Sequence, residues 1–230
     1  MRVLVACEES QRVCIAFRER GHEAYSCDIQ DCSGGHPEWH IKDNVLNILN
    51  PQWSSDEDFK MPFYGIWFFT VDGVLHCIDR WDLIIAHPPC TRLCNSGQRW
   101  LYFGDEIYRK RKLQDQKRAI AFFMEFVTAD CEKIAIENPM GIMSSKFRKP
   151  DQVYNPYDFL GETESKKTCL WLKGLAPLKA TQELSKDLRT QGIWKAEFDG
   201  NKYAWNDPIV AVLRSRTPWG VAHAMAEQWG

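Results

Sequence analysis

The sequence predicts an α/β protein built on a doubly wound, mostly parallel sheet. Short apolar runs of strand length alternate with stretches of helical periodicity, and the chain opens as strand, polar turn and helix. Acids or a thiol stand where several of the strand candidates end, and ligands of open α/β sheets bind at the carboxyl ends of strands. The 230 residues, 44% of them hydrophobic, suffice for one sizeable domain spanning residues 1–230. No run approaches the roughly 18 apolar residues of a membrane span, so the expectation is a soluble, cytoplasmic protein without a membrane partner. Nine cysteines, an odd count spread along the chain, read as reduced thiols.

Taken in order, Val3-Leu4-Val5-Ala6 is a buried-strand signal, Cys7-Glu8-Glu9-Ser10 a polar turn, and residues from about Gln11 to Arg20 a helix stopped by Gly21. Glu23 to Cys27 reads as a second strand, ending in Asp28 about twenty residues beyond the first turn, where an acid suits a ribose hydroxyl pair. Asp43, in HIKDNVLNIL, is a third acid that can reach the adenine end of the same cofactor. Between Asn50 and Asp79, Ile66 to Val71 is a strand or hairpin candidate with a turn at Asp72-Gly73. The apolar run Trp81 to Ala86 ends in His87-Pro88-Pro89-Cys90, which presents a thiol just past two conformationally restricted residues.

A long helix is expected from about Glu106 to Thr128, with Leu113, Ile120, Phe123 and Val127 as its core stripe. Lys133 to Glu137 is the next strand and runs into Asn138-Pro139. Lys166 to Leu172 is another, entered through two lysines, and Pro208 to Leu213 is a last strand candidate before a short helix at Val221 to Gln228. The stretch of about residues 173–207 is polar. Net charge is only -2, but Arg92 to Arg118 holds eight basic residues against three acids, a local balance of +5. Arg92, Arg99, Arg109, Lys110 and Arg111, with Lys146, Arg148 and Lys149 of a later basic loop, are the candidate nucleic-acid contacts.

Cys90 after one strand and Glu137 after the next suggest a specific chemistry. A thiolate adds to carbon 6 of a pyrimidine when a carboxyl group hydrogen-bonds or protonates ring nitrogen 3. Carbon 5 then becomes nucleophilic and takes a methyl group from a sulfonium donor, and the target base must first leave the helical stack.

These residues resemble the DNA (cytosine-5) methyltransferases. HPPC at His87 to Cys90 is similar to the family's Pro-Cys nucleophile motif, IENP at Ile136 to Pro139 to its Glu-Asn motif, and SKKTCLWL at Ser165 to Leu172 to its later basic motif. VACEES, CDI and IKDNV stand where the cofactor turn, ribose acid and adenine-side acid fall, and RSRTPWGVAHAM at Arg214 to Met225 resembles the closing segment of short, phage-type members. The resemblance implies a Rossmann-like fold of the S-adenosylmethionine-dependent methyltransferase type, S-adenosylmethionine as methyl donor and double-stranded DNA as substrate, with a restriction enzyme partner left open. It implies Cys90 as nucleophile, Glu137 on ring nitrogen 3 and Lys167 at the base carbonyl, with Cys7, Glu8, Glu9, Ser10, Asp28, Ile29, Asp43 and Pro88 around the cofactor and about residues 173–207 as a reduced target-recognition region at most. Two features depart from the family: the usual Gly-rich turn is Cys7-Glu8-Glu9-Ser10, and lysines replace the arginines of the later basic motif.

Other readings compete. Cys27, Cys32, His36 and His40 are spaced loosely like a zinc site, and His36-Pro37-Glu38 with Pro89-Cys90 and Cys94 nearly spells the zinc deaminase pattern. Cys94 follows Cys90 by four residues where the pattern needs three, that reading gives Glu137 no task, and no metal is expected. An amino-methyltransferase would need an aromatic where Cys90 stands. A non-catalytic DNA-binding protein on the same fold would have a blocked cofactor pocket.

Overall fold

A computed structural model describes residues 1–53, 64–95, 103–184, 197–198, 201–204 and 207–230. Its main sheet holds seven strands: β1 (Arg2–Ala6), β2 (Glu23–Asp28), β3 (His40–Lys42), β7 (Leu83–Ala86), β8 (Lys133–Pro139), β9 (Gln152–Tyr154) and β10 (Thr168–Lys173). Their order across the sheet is β3-β2-β1-β7-β8-β10-β9. β3, β2, β1, β7 and β8 are parallel, and β10 runs antiparallel to both of its neighbours. The protein is thus α/β with a seven-stranded, mostly parallel mixed sheet, compatible with a Rossmann-like fold.

β1 is followed outward by β2 and β3 on one side, and the chain then returns to lay β7 on the other. That reversal is a topological switch point, and it opens a crevice beyond the carboxyl ends of β1 and β7. The central strands read as continuous apolar runs because both of their faces are covered. Val3, Val5, Leu83 and Ile85 pack with Val13 and Phe17 of α1 (Arg12–Glu19) and with Val221, Ala222 and Met225 of the last helix. Leu4, Ala6, Ile84 and Ala86 face Phe123 and Phe126 of the long helix α2 (Glu106–Thr128).

α2 starts at Asp105, whose carboxylate accepts the Tyr108 N–H at 2.7 Å. Its stripe is buried only in the later turns, through Phe123 and Phe126, while Leu113 is 43% exposed. Between β3 and β7 the chain builds a small antiparallel sheet of β4 (Gln52–Trp53), β5 (Tyr64–Phe69) and β6 (Leu75–Ile78). The hairpin between β5 and β6 turns at Asp72-Gly73, with Gly73 at a φ of 86°.

The strand expected at Pro208 to Leu213 is a helix. After the short α3 (Met143–Lys146), α4 (Pro208–Ser215) opens with the Asp207 carboxylate accepting the Ile209 N–H at 3.0 Å and proline in its first turn, a start signal that outweighs the β-branched run behind it. α5 (Trp219–Trp229) closes the chain against α1. Among the described residues no helix is long and apolar enough to cross a membrane.

Candidate active site

The crevice begins at the end of β1. The turn there is made without glycine: Cys7 and Gln11 adopt left-handed backbone, with φ of 61° and 59°. Such residues cost on the order of 1–2 kcal/mol each, so neighbouring contacts must fix them. The Cys7 N–H donates to the Cys27 carbonyl at 2.7 Å. The buried Gln11 amide donates to the His36 carbonyl at 2.8 Å and accepts the His36 N–H at 3.1 Å. Between them Glu8 folds back onto the start of α1, its two oxygens accepting the Val13 N–H at 2.7 Å and the Cys14 N–H at 3.2 Å. Burial pushes the Glu8 carboxyl up, against the opposing charge of His87 and these two hydrogen bonds. Glu9 lies 3.5 Å from Arg216 in a loose ion pair whose facing atoms make no hydrogen bond.

Along the same rim, Asp28 ends β2 and uses one oxygen to accept the Gln30 N–H, while Ile29 beside it is 74% exposed. Asp43 follows β3 and uses one oxygen for Asn44 and Asn47. The second oxygen of each carboxylate has no protein partner among the described residues. Two acids and an exposed aliphatic side chain therefore stand at the ends of the neighbouring strands β2 and β3, and Ser10 of the turn after β1 is buried.

Cys90 follows β7 and Glu137 lies near the end of the neighbouring β8, close enough for the charge of Glu137 to act on the thiol. Beyond β7, residues Cys90 to Cys94 form one helical turn, with the Leu93 and Cys94 N–H groups both donating to the Cys90 carbonyl at 2.9 Å. This turn is bound to the exit of β8: the Asn95 N–H donates to the Met140 carbonyl, the Ile142 N–H to the Leu93 carbonyl, and Cys94 forms a bridge with Gly141. The buried Asn138 amide donates to the Pro88 carbonyl at 2.7 Å. Gly141 is required by the close approach, because a Cβ there would stand 2.0 Å from the Leu93 carbonyl oxygen.

The electrostatics of the two groups differ. The hydrogen bond with Cys94, then burial, then the charges of Cys94 and Glu137, push the Cys90 thiol well up; Lys166 opposes them only in part. Burial pushes Glu137 up, but the hydrogen bond and charge of His87 and the charge of Lys166 prevail, and the carboxyl is held below its ordinary 4.5. Glu137, Tyr154, Lys166 and Thr168 share a cavity of about 10 Å³ with Arg216, Thr217 and Pro218 of the segment before α5. That volume holds about one water.

A comparison of the chain with protein-family models and with curated protein sequences finds no match in either.

Of the two lysines entering β10, it is Lys166 whose charge acts on Glu137 and Cys90; Lys167 is exposed and has no described part in the site. The reason is phase, since Lys166 and the buried Thr168 line the cavity beside Glu137 while Lys167 falls between them. Tyr154, buried against Thr168, and His87, bonded to Glu137, carry no local motif that would have singled them out.

Of the basic candidates, Arg109, Lys110, Arg111, Lys146 and Lys149 are exposed, with Lys110 paired to Glu106 at 2.7 Å, and Arg92 meets Asp115 at 3.5 Å. Arg148 is committed elsewhere: it pairs with Asp151 at 2.7 Å and donates to the Leu172 carbonyl, near the far end of the sheet from Cys90. It borders an apolar cavity of about 230 Å³ with Trp171, Phe147 and Ile134 that contains neither Cys90 nor Glu137. Arg99, and Lys186, Arg189, Trp194, Lys195 and Trp205 of the polar stretch, lie outside the described residues.

The zinc pattern does not assemble. His40 is buried with its ring nitrogens on Ser26 and the Gln30 carbonyl, and Cys27 donates to the Asp43 carbonyl. Among the described residues no group of three His, Cys, Asp or Glu side chains could hold a metal ion.

Proposed function

We propose that the protein is a DNA (cytosine-5) methyltransferase that acts through a covalent adduct between Cys90 and carbon 6 of a flipped-out cytosine. The observation that carries this reading is the clamp between the Cys90 turn and the exit of β8, which holds a thiol and a buried carboxyl at adjacent strand ends beside the switch point. S-adenosylmethionine would supply the methyl group. Asp28 would bind its ribose hydroxyls, Ile29 would cover the adenine and Asp43 would take the adenine amine. The residues fit that group at its adenosine end, because Asp28 and Asp43 each keep an oxygen without a protein partner and Ile29 is exposed beside them. At the other end the first amides of α1 are taken by Glu8, so the amino acid portion falls to the loose Glu9 and Arg216 pair.

In the resting site the proton sits on sulfur and Glu137 is ionised. Addition places the thiol across two ring atoms: the S–H proton passes to the Glu137 carboxylate, the carbon 6–sulfur bond forms, and the carboxyl gives its proton to ring nitrogen 3. Carbon 5 can then be methylated. Loss of the carbon 5 proton to solvent expels the Cys90 thiolate, and the proton on ring nitrogen 3 returns through Glu137 to the sulfur, which restores both the ring and the resting thiol. Lys166 offers a cation beside the same cavity. The exposed basic residues at the start of α2 face solvent, where a phosphate backbone can reach them.

With Cys90→Ala, transfer of a labelled methyl group to cytosine in duplex DNA should be abolished while DNA binding stays within a few-fold. Duplexes carrying 5-fluorocytosine should trap wild-type protein through Cys90, since the proton needed for release is missing. Methyl label on an exocyclic amine, or carbon 5 label with the Ala variant, would sink the reading.

A further inference from the structure

The group that meets Glu137 most directly takes no part in the chemistry above. His87 Nδ1 lies 3.0 Å from Glu137 Oε2, and the two side chains are only 10% and 17% exposed. His87 follows β7 immediately, and its backbone N–H donates to the Ala6 carbonyl at 2.9 Å, so the two strands flanking the switch point set the ring's place. Its other nitrogen, Nε2, is buried without a partner, which leaves Glu137 as the ring's hydrogen-bond partner among the described residues. Lys166, a cation near Glu137, has its Nζ on the Arg214 carbonyl at 2.8 Å.

We propose that His87 is the positioning residue of this site: by holding Glu137 through Oε2 it leaves Oε1 as the oxygen presented to the base. Its role in turnover rests on the methyltransferase reading; the hold on the carboxyl does not. The titratable and charged groups around Glu137 are His87, Lys166, Tyr154, Cys90, Cys169 and Arg216. Of these, His87 makes the hydrogen bond that counters the burial of Glu137. Removing it leaves a buried carboxyl with only Lys166 against desolvation, and such a group titrates at higher pH.

The test uses full-length protein labelled with carbon-13 at the glutamate side-chain carboxyls, the Glu137 resonance being assigned with Glu137→Gln. In His87→Ala the Glu137 midpoint should rise by about one pH unit or more. His87→Asn, which keeps an N–H near the place of Nδ1, should restore most of the difference. The acid limb of kcat/KM for methyl transfer should move in the same direction, and a support role for packing alone would leave that limb in place. An unchanged midpoint in both variants, or an Asn variant no closer to wild type than the Ala variant, overturns the proposal. A shifted midpoint in a protein that transfers no methyl group would overturn the methyltransferase reading while leaving the hold on Glu137 standing.

Discussion

Cys90 and Glu137 are driven in opposite directions, so in the resting protein the exchangeable proton belongs to sulfur and the negative charge to the Glu137 carboxylate. The first cause on the thiol is its neighbour one helical turn along, Cys94. Replacing Cys94 with Ala should therefore lower the Cys90 pKa and speed its alkylation by iodoacetamide at mildly alkaline pH, by roughly 3- to 10-fold. Peptide mass mapping of the labelled site reads the rate, and an unchanged rate would mean that burial alone sets the thiol. Glu137 also links stability to pH. Its folded pKa lies below the ordinary 4.5, so its contribution is present above that value and is lost as pH falls through the folded one. The stability gap between wild type and Glu137→Gln, followed by thermal melts, should narrow below that point. At this scale the sequence revealed the thiol and the acid because both stand directly after apolar strand runs. It hid His87 on Glu137 and the choice of Lys166 over Lys167, since one needs strand adjacency and the other the phase of a strand not yet begun.

The elements that join the pair are backbone pieces rather than side chains. The turn after β7 and the residues after β8 share hydrogen bonds at Leu93, Asn95 and Ile142, and Gly141 lies under the Leu93 carbonyl. Gly141→Ala has no flexible side chain to push aside, so one of the two segments must shift. On the proposed methyltransferase reading, the expected result is loss of at least 10-fold in methyl transfer with the fold retained by circular dichroism, because displacements of about 1 Å at a reacting group are costly. Full activity would show that the clamp tolerates movement. Strand and helix existence was legible from period and punctuation; the α2 limits from Glu106 to Thr128 follow the Asp105 start. The Pro208 segment was misread because Ile209, Val210 and Val212 look like a strand, whereas Asp207-Pro208 is a helix opening. β9 and the antiparallel setting of β10 were hidden because both depend on pairing between distant segments.

At the level of the whole molecule, the same strands carry two apolar layers, one toward α1 and α5 and one toward α2. Trp171, buried against Phe123 with ring centroids 5.2 Å apart, belongs to one layer and Phe17 to the other. Trp171→Ala and Phe17→Ala should each cost about 3–5 kcal/mol. Both should unfold in a single transition, with fluorescence and circular dichroism midpoints coinciding in a denaturant titration; separate midpoints would show two independently melting layers. The carboxylate that Glu8 places at the start of α1 bears on which small molecules the crevice can admit. The first turn of a helix ordinarily welcomes phosphate, through free amides and the positive end of the helix dipole. Here the amides of Val13 and Cys14 are spoken for and an acid fills their place. A phosphate that relied on those two amides would find them already occupied, so this helix start is closed to the anion-binding role that helix N-termini commonly play.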